Sequence, residues 1–210
     1  LLPNHRPMWK PLWFTYVLKQ DDGKLMALYI RYNDEDGSFF VGSHDGKHIN
    51  NINIDTLNNS ELVGQLTATA FPDGNWFNIQ SLTNAWAGDL QFDQFLTFLF
   101  HGHACPGVQP GFFMSEYIQE NYPLNENQSY FYIASSIYCK DDSIEYLLGL
   151  SPGLGNYMDQ KLVASDVESD YVDGATEEGV LVTWDNELNI GQAVIMNFKW
   201  ATIDTSAYST

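Results

Sequence analysis

Residues 100–113 read FHGHACPGVQPGFF and hold two of the chain's five histidines and one of its two cysteines. His101, His103 and Cys105 occupy alternate positions, and alternate side chains face one side of an extended segment. A cysteine at the end of such a run curls back toward the histidines if the chain turns, and Pro106-Gly107 supplies a turn. Imidazole and thiolate together are ligands that zinc prefers; nickel, copper and iron accept the same mixture. The second cysteine, Cys139, repeats the setting of the first, since each stands just before a predicted helix. The positive end of a helix dipole favours thiolate, the form that binds metal or attacks a substrate. His101, His103, Cys105 and Cys139 are therefore candidate metal ligands, forming a three- or four-ligand site. Asp142 follows Cys139 closely enough to orient a ligand histidine or to carry a proton. A Cys105–Cys139 disulfide is the competing reading, natural outside the cell, but it gives His101 and His103 no role.

Other candidates are plainer. Ser151-Pro152-Gly153-Leu154-Gly155-Asn156 has the glycines of an anion cradle, and also those of an ordinary turn. His44 and His48 flank a turn in a polar loop. Trp76, Phe77 and Trp86 are expected to fill core.

The elements that must position these residues follow from periodicity. Residues 1–88 read as a strand-rich N-terminal segment packed on the main domain. In it WFTYVLKQ and LMALYIRYN are joined at Asp21-Asp22-Gly23-Lys24 as a hairpin, and GSFFVGS is a short strand. Residues 45–60 read as loop, ELVGQLTATAF as either helix or strand, and Asp73-Gly74-Asn75 as a turn. From residue 89 to 200 the order is different. LQFDQFLTFLF suits a mostly buried helix that runs into the ligand cluster. PGVQPGFFMSEYIQENY predicts a helix opened by Pro106, with Pro110 tolerated inside its first turn. The strand QSYFYIASSIY leads to Cys139, and KDDSIEYLLGL is a helix with acids in its first turn. Three strands follow, around DQKLVASDV, GVLVTWD and QAVIMNFKW, and residues 201–210 are a tail. The fold class is α+β: helix, strand, helix, then three strands, with helices on one face of a largely antiparallel sheet.

The balance of 27 acidic to 9 basic residues gives a formal charge of −18. That excludes nucleic acid as a natural partner, because phosphate binding needs a basic face. No apolar run reaches the roughly 18 residues of a membrane span. Hydrophobic residues at 44% and aromatics at 15% are enough for a packed core. Asn58-Asn59-Ser60 and Asn127-Gln128-Ser129 fit the glycosylation pattern. With the low lysine content, they favour an extracytoplasmic location slightly over a cytoplasmic one.

The same residues resemble a known family. Phe100, His101, Gly102, His103, Cys105, Pro106, Gly107 and Gly111 are similar to the first signature of the FmdE family, named for a component of the formylmethanofuran dehydrogenase of methanogenic archaea. Cys139, Asp142, Ser143 and Ile144, then Ser151, Gly153, Leu154, Gly155 and Asn156, resemble its second block. Ser143 stands where the family usually has Ala, and Leu154 where its loop has Lys. The resemblance covers about residues 86–200. It implies an α-β-α-β-β-β fold with a mixed sheet and a zinc-type metal at His101, His103, Cys105 and Cys139. It also implies an accessory or binding module linked to formylmethanofuran and one-carbon metabolism. Two other functions stay open: a metal-dependent enzyme with an open coordination position, and extracytoplasmic capture of a metal or metal-tetrapyrrole. The partners these readings call for are the metal ion, a small-molecule substrate, other components of the dehydrogenase or a second copy of the chain. Two cysteines are too few for iron–sulfur cofactors.

Overall fold

The structure is a computed structural model that describes residues 12–72, 76–135, 137–160 and 175–202. The chain forms two compact units, Leu1–Cys105 and Pro106–Thr210.

In the first unit, β1 (Trp13–Lys19) and β2 (Leu25–Tyr32) form the expected antiparallel hairpin, in register from Trp13 opposite Arg31 to Lys19 opposite Leu25. Gly23 takes a positive φ of 83° in the turn, which a residue without Cβ adopts readily. Strands β3 (Phe39–Val41) and β4 (Ile49–Asn51) both pair with β2. Alternation along β2 buries Leu25, Ala27 and Tyr29 on one face.

From Ile54 the unit is helical: α1 (Ile54–Leu57), α2 (Ser60–Thr69), α3 (Trp76–Ala87) and α4 (Phe92–His101). Among the described residues, the strands of the first unit therefore lie within residues 13–51. The loop expected over 45–60 is corrected, since β4, α1 and the first residue of α2 fall within it. ELVGQLTATAF is resolved as helix α2, and Asn59 is the local reason. Its side chain accepts the Leu62 N–H at 3.0 Å, satisfying a donor that the first helical turn leaves unpaired. Asn59→Ala is expected to cost about 1 kcal/mol, measured as a lower denaturant midpoint. A core of Leu66, Phe71, Trp76 and Ile79 packs with Trp13 and Tyr29. In it the Phe71 and Trp76 ring centroids lie 4.8 Å apart. Trp76 fills core as expected. Phe77 and Trp86 do not: they are 46% and 48% exposed, so their expected core role is corrected.

The second unit opens with a 3-10 turn, Pro106–Val108, and continues through α5 (Gln109–Asn121), β5 (Gln128–Ala134) and α6 (Lys140–Leu148). After a second 3-10 turn, Pro152–Leu154, come β6 (Tyr157–Asp159), β7 (Thr176–Asp185) and β8 (Ile190–Phe198). The sequence-based order of helix, strand, helix and three strands is what forms. Pro106 heads the 3-10 turn and Pro110 lies in the first turn of α5, where neither costs a backbone hydrogen bond. The sheet order is β6-β5-β7-β8. Strands β5 and β6 are parallel and the other pairs antiparallel, so the sheet is mixed. Of the strand expected around DQKLVASDV, Asp159 ends β6, and residues 161–167 lie outside the described ones, as does the turn at 73–75.

Helices α5 and α6 supply Met114, Ile118 and Ile144 to a core shared with Tyr130, Tyr132, Ala134, Leu181, Met196 and Phe198 of the sheet. Full burial of such a side chain contributes about 1.5–3 kcal/mol. The two helices meet at Gly111, where an added Cβ would stand 1.9 Å from the Lys140 carbonyl oxygen.

Candidate metal centre

The ligand segment starts as a helix end. His101 is the last residue of α4, and Gly102 follows it with φ +90°. That left-handed conformation closes the helix, with the Gly102 N–H bonded to the Phe98 carbonyl. The expected extended His-x-His run is therefore broken in the middle, and the two histidines are placed by different devices. The His101 ring is fixed on the last turn of α4. His103 lies beyond the cap, with its ring centroid 4.3 Å from that of His101 and 5.2 Å from that of Phe77. The Ala104 N–H donates to Ser81 Oγ on α3 at 3.1 Å, which holds the segment before Cys105. Pro106 then turns the chain into the 3-10 turn.

Cys105 returns toward α4. Its Sγ lies 3.6 Å from His101 Nε2. A tetrahedral zinc with bonds of about 2.3 Å to sulfur and about 2.1 Å to nitrogen holds those atoms about 3.6 Å apart. Cys139 stands immediately before α6, at its N-cap position. The Cys105 and Cys139 sulfurs and a ring nitrogen of His101 all lie within 4.8 Å of one another. All three residues are half-buried. Both cysteines are among the described residues, and no disulfide joins them. His103 is not one of this group of three. Asp142 is in the first turn of α6, partly buried.

Two thiols and an imidazole at this spacing suit a borderline-soft divalent ion. Residues 100–203 match the family described as FmdE, Molybdenum formylmethanofuran dehydrogenase operon. Those residues are an FmdE domain. The match includes every candidate ligand named from the sequence. No curated protein matches the chain.

Around the FmdE ligand segment, sequence reasoning missed Ser81 and the ring contact of Phe77. Both lie on α3, a helix rich in Asn, Thr, Ser and aromatics that gives little local signal. The regular spacing of buried Trp76, Ile79, Leu82 and Thr83 was the available clue. The glycine-rich loop of the domain folds as a short 3-10 turn. Its Ser151 Oγ accepts the Leu154 N–H at 3.2 Å, and Leu154 is 72% exposed. Of the loop histidines, His44 Nδ1 lies 3.3 Å from Thr69 Oγ1 and His48 Nδ1 lies 3.3 Å from the Gly42 carbonyl. Among the described residues the group of His101, Cys105 and Cys139 alone has the spacing to hold a metal. No described helix is long and apolar enough to cross a membrane.

Proposed function

We propose that the FmdE domain binds a divalent transition metal, zinc by preference, through His101, Cys105 and Cys139. The observation that carries this reading is the spacing of the three ligand atoms, above all the 3.6 Å between Cys105 Sγ and His101 Nε2. Two thiolates and one neutral imidazole give the set a charge of −2, which neutralises the ion.

Three protein donors leave a tetrahedral ion one short of its usual four. His103, whose ring centroid lies 4.3 Å from that of His101, is the candidate fourth donor, and its binding would close the site. A small substrate, such as a one-carbon or thiol compound, is the alternative occupant. In that case the ion supplies Lewis acidity, and the protein supplies the rest. Cys105 and Cys139 would fix the ion, α4 orients the His101 ring, and Asp142, three residues after Cys139, is the candidate to hold a proton. A fourth position left free by His103 would favour substrate binding over a purely structural ion, and the family supports a role beside formylmethanofuran and one-carbon metabolism.

Metal analysis of protein purified without added metal tests the first claim; stoichiometric zinc is expected, and protein free of any transition metal that also fails to take up zinc overturns it. Binding to the folded state adds stability by mass action. Zinc at 100 times its Kd is expected to add about 2.7 kcal/mol, seen as a raised Tm that chelator reverses. An unchanged Tm across that titration contradicts the reading.

A further inference from the structure

Cys139 sits in a turn that is bonded across both ends. The Asp141 N–H donates to the Tyr138 carbonyl at 2.9 Å, and the Tyr138 N–H donates to Asp141 Oδ2 at 2.9 Å. The two bonds enclose Cys139 and Lys140, as a reciprocal cap does. The carboxylate that makes the second bond is 2% exposed, and it also accepts Lys140 Nζ at 2.7 Å. Lys140 has no exposed surface at all, although it is in the first turn of a helix where a lysine ordinarily reaches water. Its ammonium lies 3.6 Å from Glu178 Oε2 and 4.6 Å from the centre of the Tyr138 ring.

Glu178 reaches this place only through an irregularity of β7. The register with β8 shifts between Glu177 and Gly179. Regular alternation puts Glu178 on the face of Val180 and Val182; the bulge turns it inward, where it is fully buried. Its carbonyl accepts the Tyr132 hydroxyl at 2.9 Å and the Ser135 N–H at 3.3 Å. Gly179 completes the bulge at φ +153°, where an added Cβ would stand 2.4 Å from the Ile133 carbonyl oxygen. Burial pushes the Glu178 carboxyl up, and Tyr138 and Lys140 oppose that rise.

We infer that Asp141 and Glu178 are positioning residues for Cys139, joined through buried Lys140 into one ionic clamp on the turn that carries the thiol. The inference rests on the proposed metal site. Three buried charges are costly, and an apolar trio of the same volume is often equally stable or more so. A bulge that re-aims a glutamate at a buried lysine is better accounted for by placement of the adjacent thiol. Glu178→Gln keeps the shape and leaves the Asp141 bonds in place while removing the distal charge.

Cobalt(II) alone is the probe, since thiolate-to-cobalt absorption reports the ligand geometry. Glu178→Gln is expected to weaken cobalt binding about 10- to 100-fold and to shift the charge-transfer band. Unchanged affinity and spectrum, with only a lowered Tm, overturn the inference. If Glu178→Gln does not fold, Lys140→Met combined with Glu178→Gln leaves no stranded ammonium and is read in the same way. Should wild-type protein bind no cobalt, the metal reading fails by itself. The clamp is then tested in Cys105→Ser protein, whose one thiol is Cys139. Glu178→Gln is expected to raise its alkylation rate; an unchanged rate overturns the clamp.

Discussion

Cys105→Ser is expected to abolish stoichiometric metal binding while the protein stays folded. The thiolate is a donor 3.6 Å from His101 Nε2, and serine oxygen is a far poorer ligand for a borderline-soft ion at neutral pH. The loss is expected to exceed the 10- to 100-fold typical of residues that only support a ligand. Cys105 is half-buried and belongs to neither hydrophobic core, so a near-isosteric change leaves the packing intact. Metal content by mass spectrometry, with circular dichroism on the same sample, separates the two effects. A variant that keeps its full metal content refutes the site.

Gly111→Ala is expected to be the most damaging single methyl group in the second unit. An added Cβ there stands 1.9 Å from the Lys140 carbonyl oxygen, 2.7 Å from its carbonyl carbon and 2.9 Å from Ser143 Cβ. The first two are backbone atoms of α6 and have no rotamer to change. Overpacking usually costs about 1–3 kcal/mol, and this contact falls at the upper end or beyond. It also pushes directly on the residue after Cys139. The variant is therefore expected to lose about 3 kcal/mol in denaturant unfolding and to bind metal more weakly, although residue 111 is not itself a candidate ligand. Wild-type stability contradicts the close approach of α5 and α6.

The order of elements in the second unit was legible because each is local. PGVQPGFFMSEYIQENY opens as a helix at its prolines, and GVLVTWD and QAVIMNFKW read as strands without knowledge of their neighbours. The ligand types were legible for another reason: histidine and cysteine are scarce in this chain and concentrated in one place. What the sequence did not reveal depends on partners far away. Helix α3 has weak local preference and is set by the core it fills with Leu66 and Phe71. The parallel pairing of β6 with β5 is a three-residue match that no short-range signal encodes. Asp141 read only as an acid in the first turn of a helix, because nothing near it or Lys140 foretells that a bulge in β7 will bring Glu178. The separation of His101 from His103 turned on Gly102. Its positive φ converts an alternating run into a helix end followed by a loop.

The parallel pair has a topological consequence. Strand β5, helix α6 and strand β6 make a β-α-β crossover inside an otherwise antiparallel sheet. In folds built of such crossovers, ligands collect where the chain leaves the carboxyl end of a strand. Cys139 lies in that exit, on the few residues between Ala134 and Lys140. Its place is thus a property of the connection and not of either flanking element. The exit loop can change in sequence, and with it the chemistry offered to a metal, while the strand before it and the helix after it continue to hold the fold.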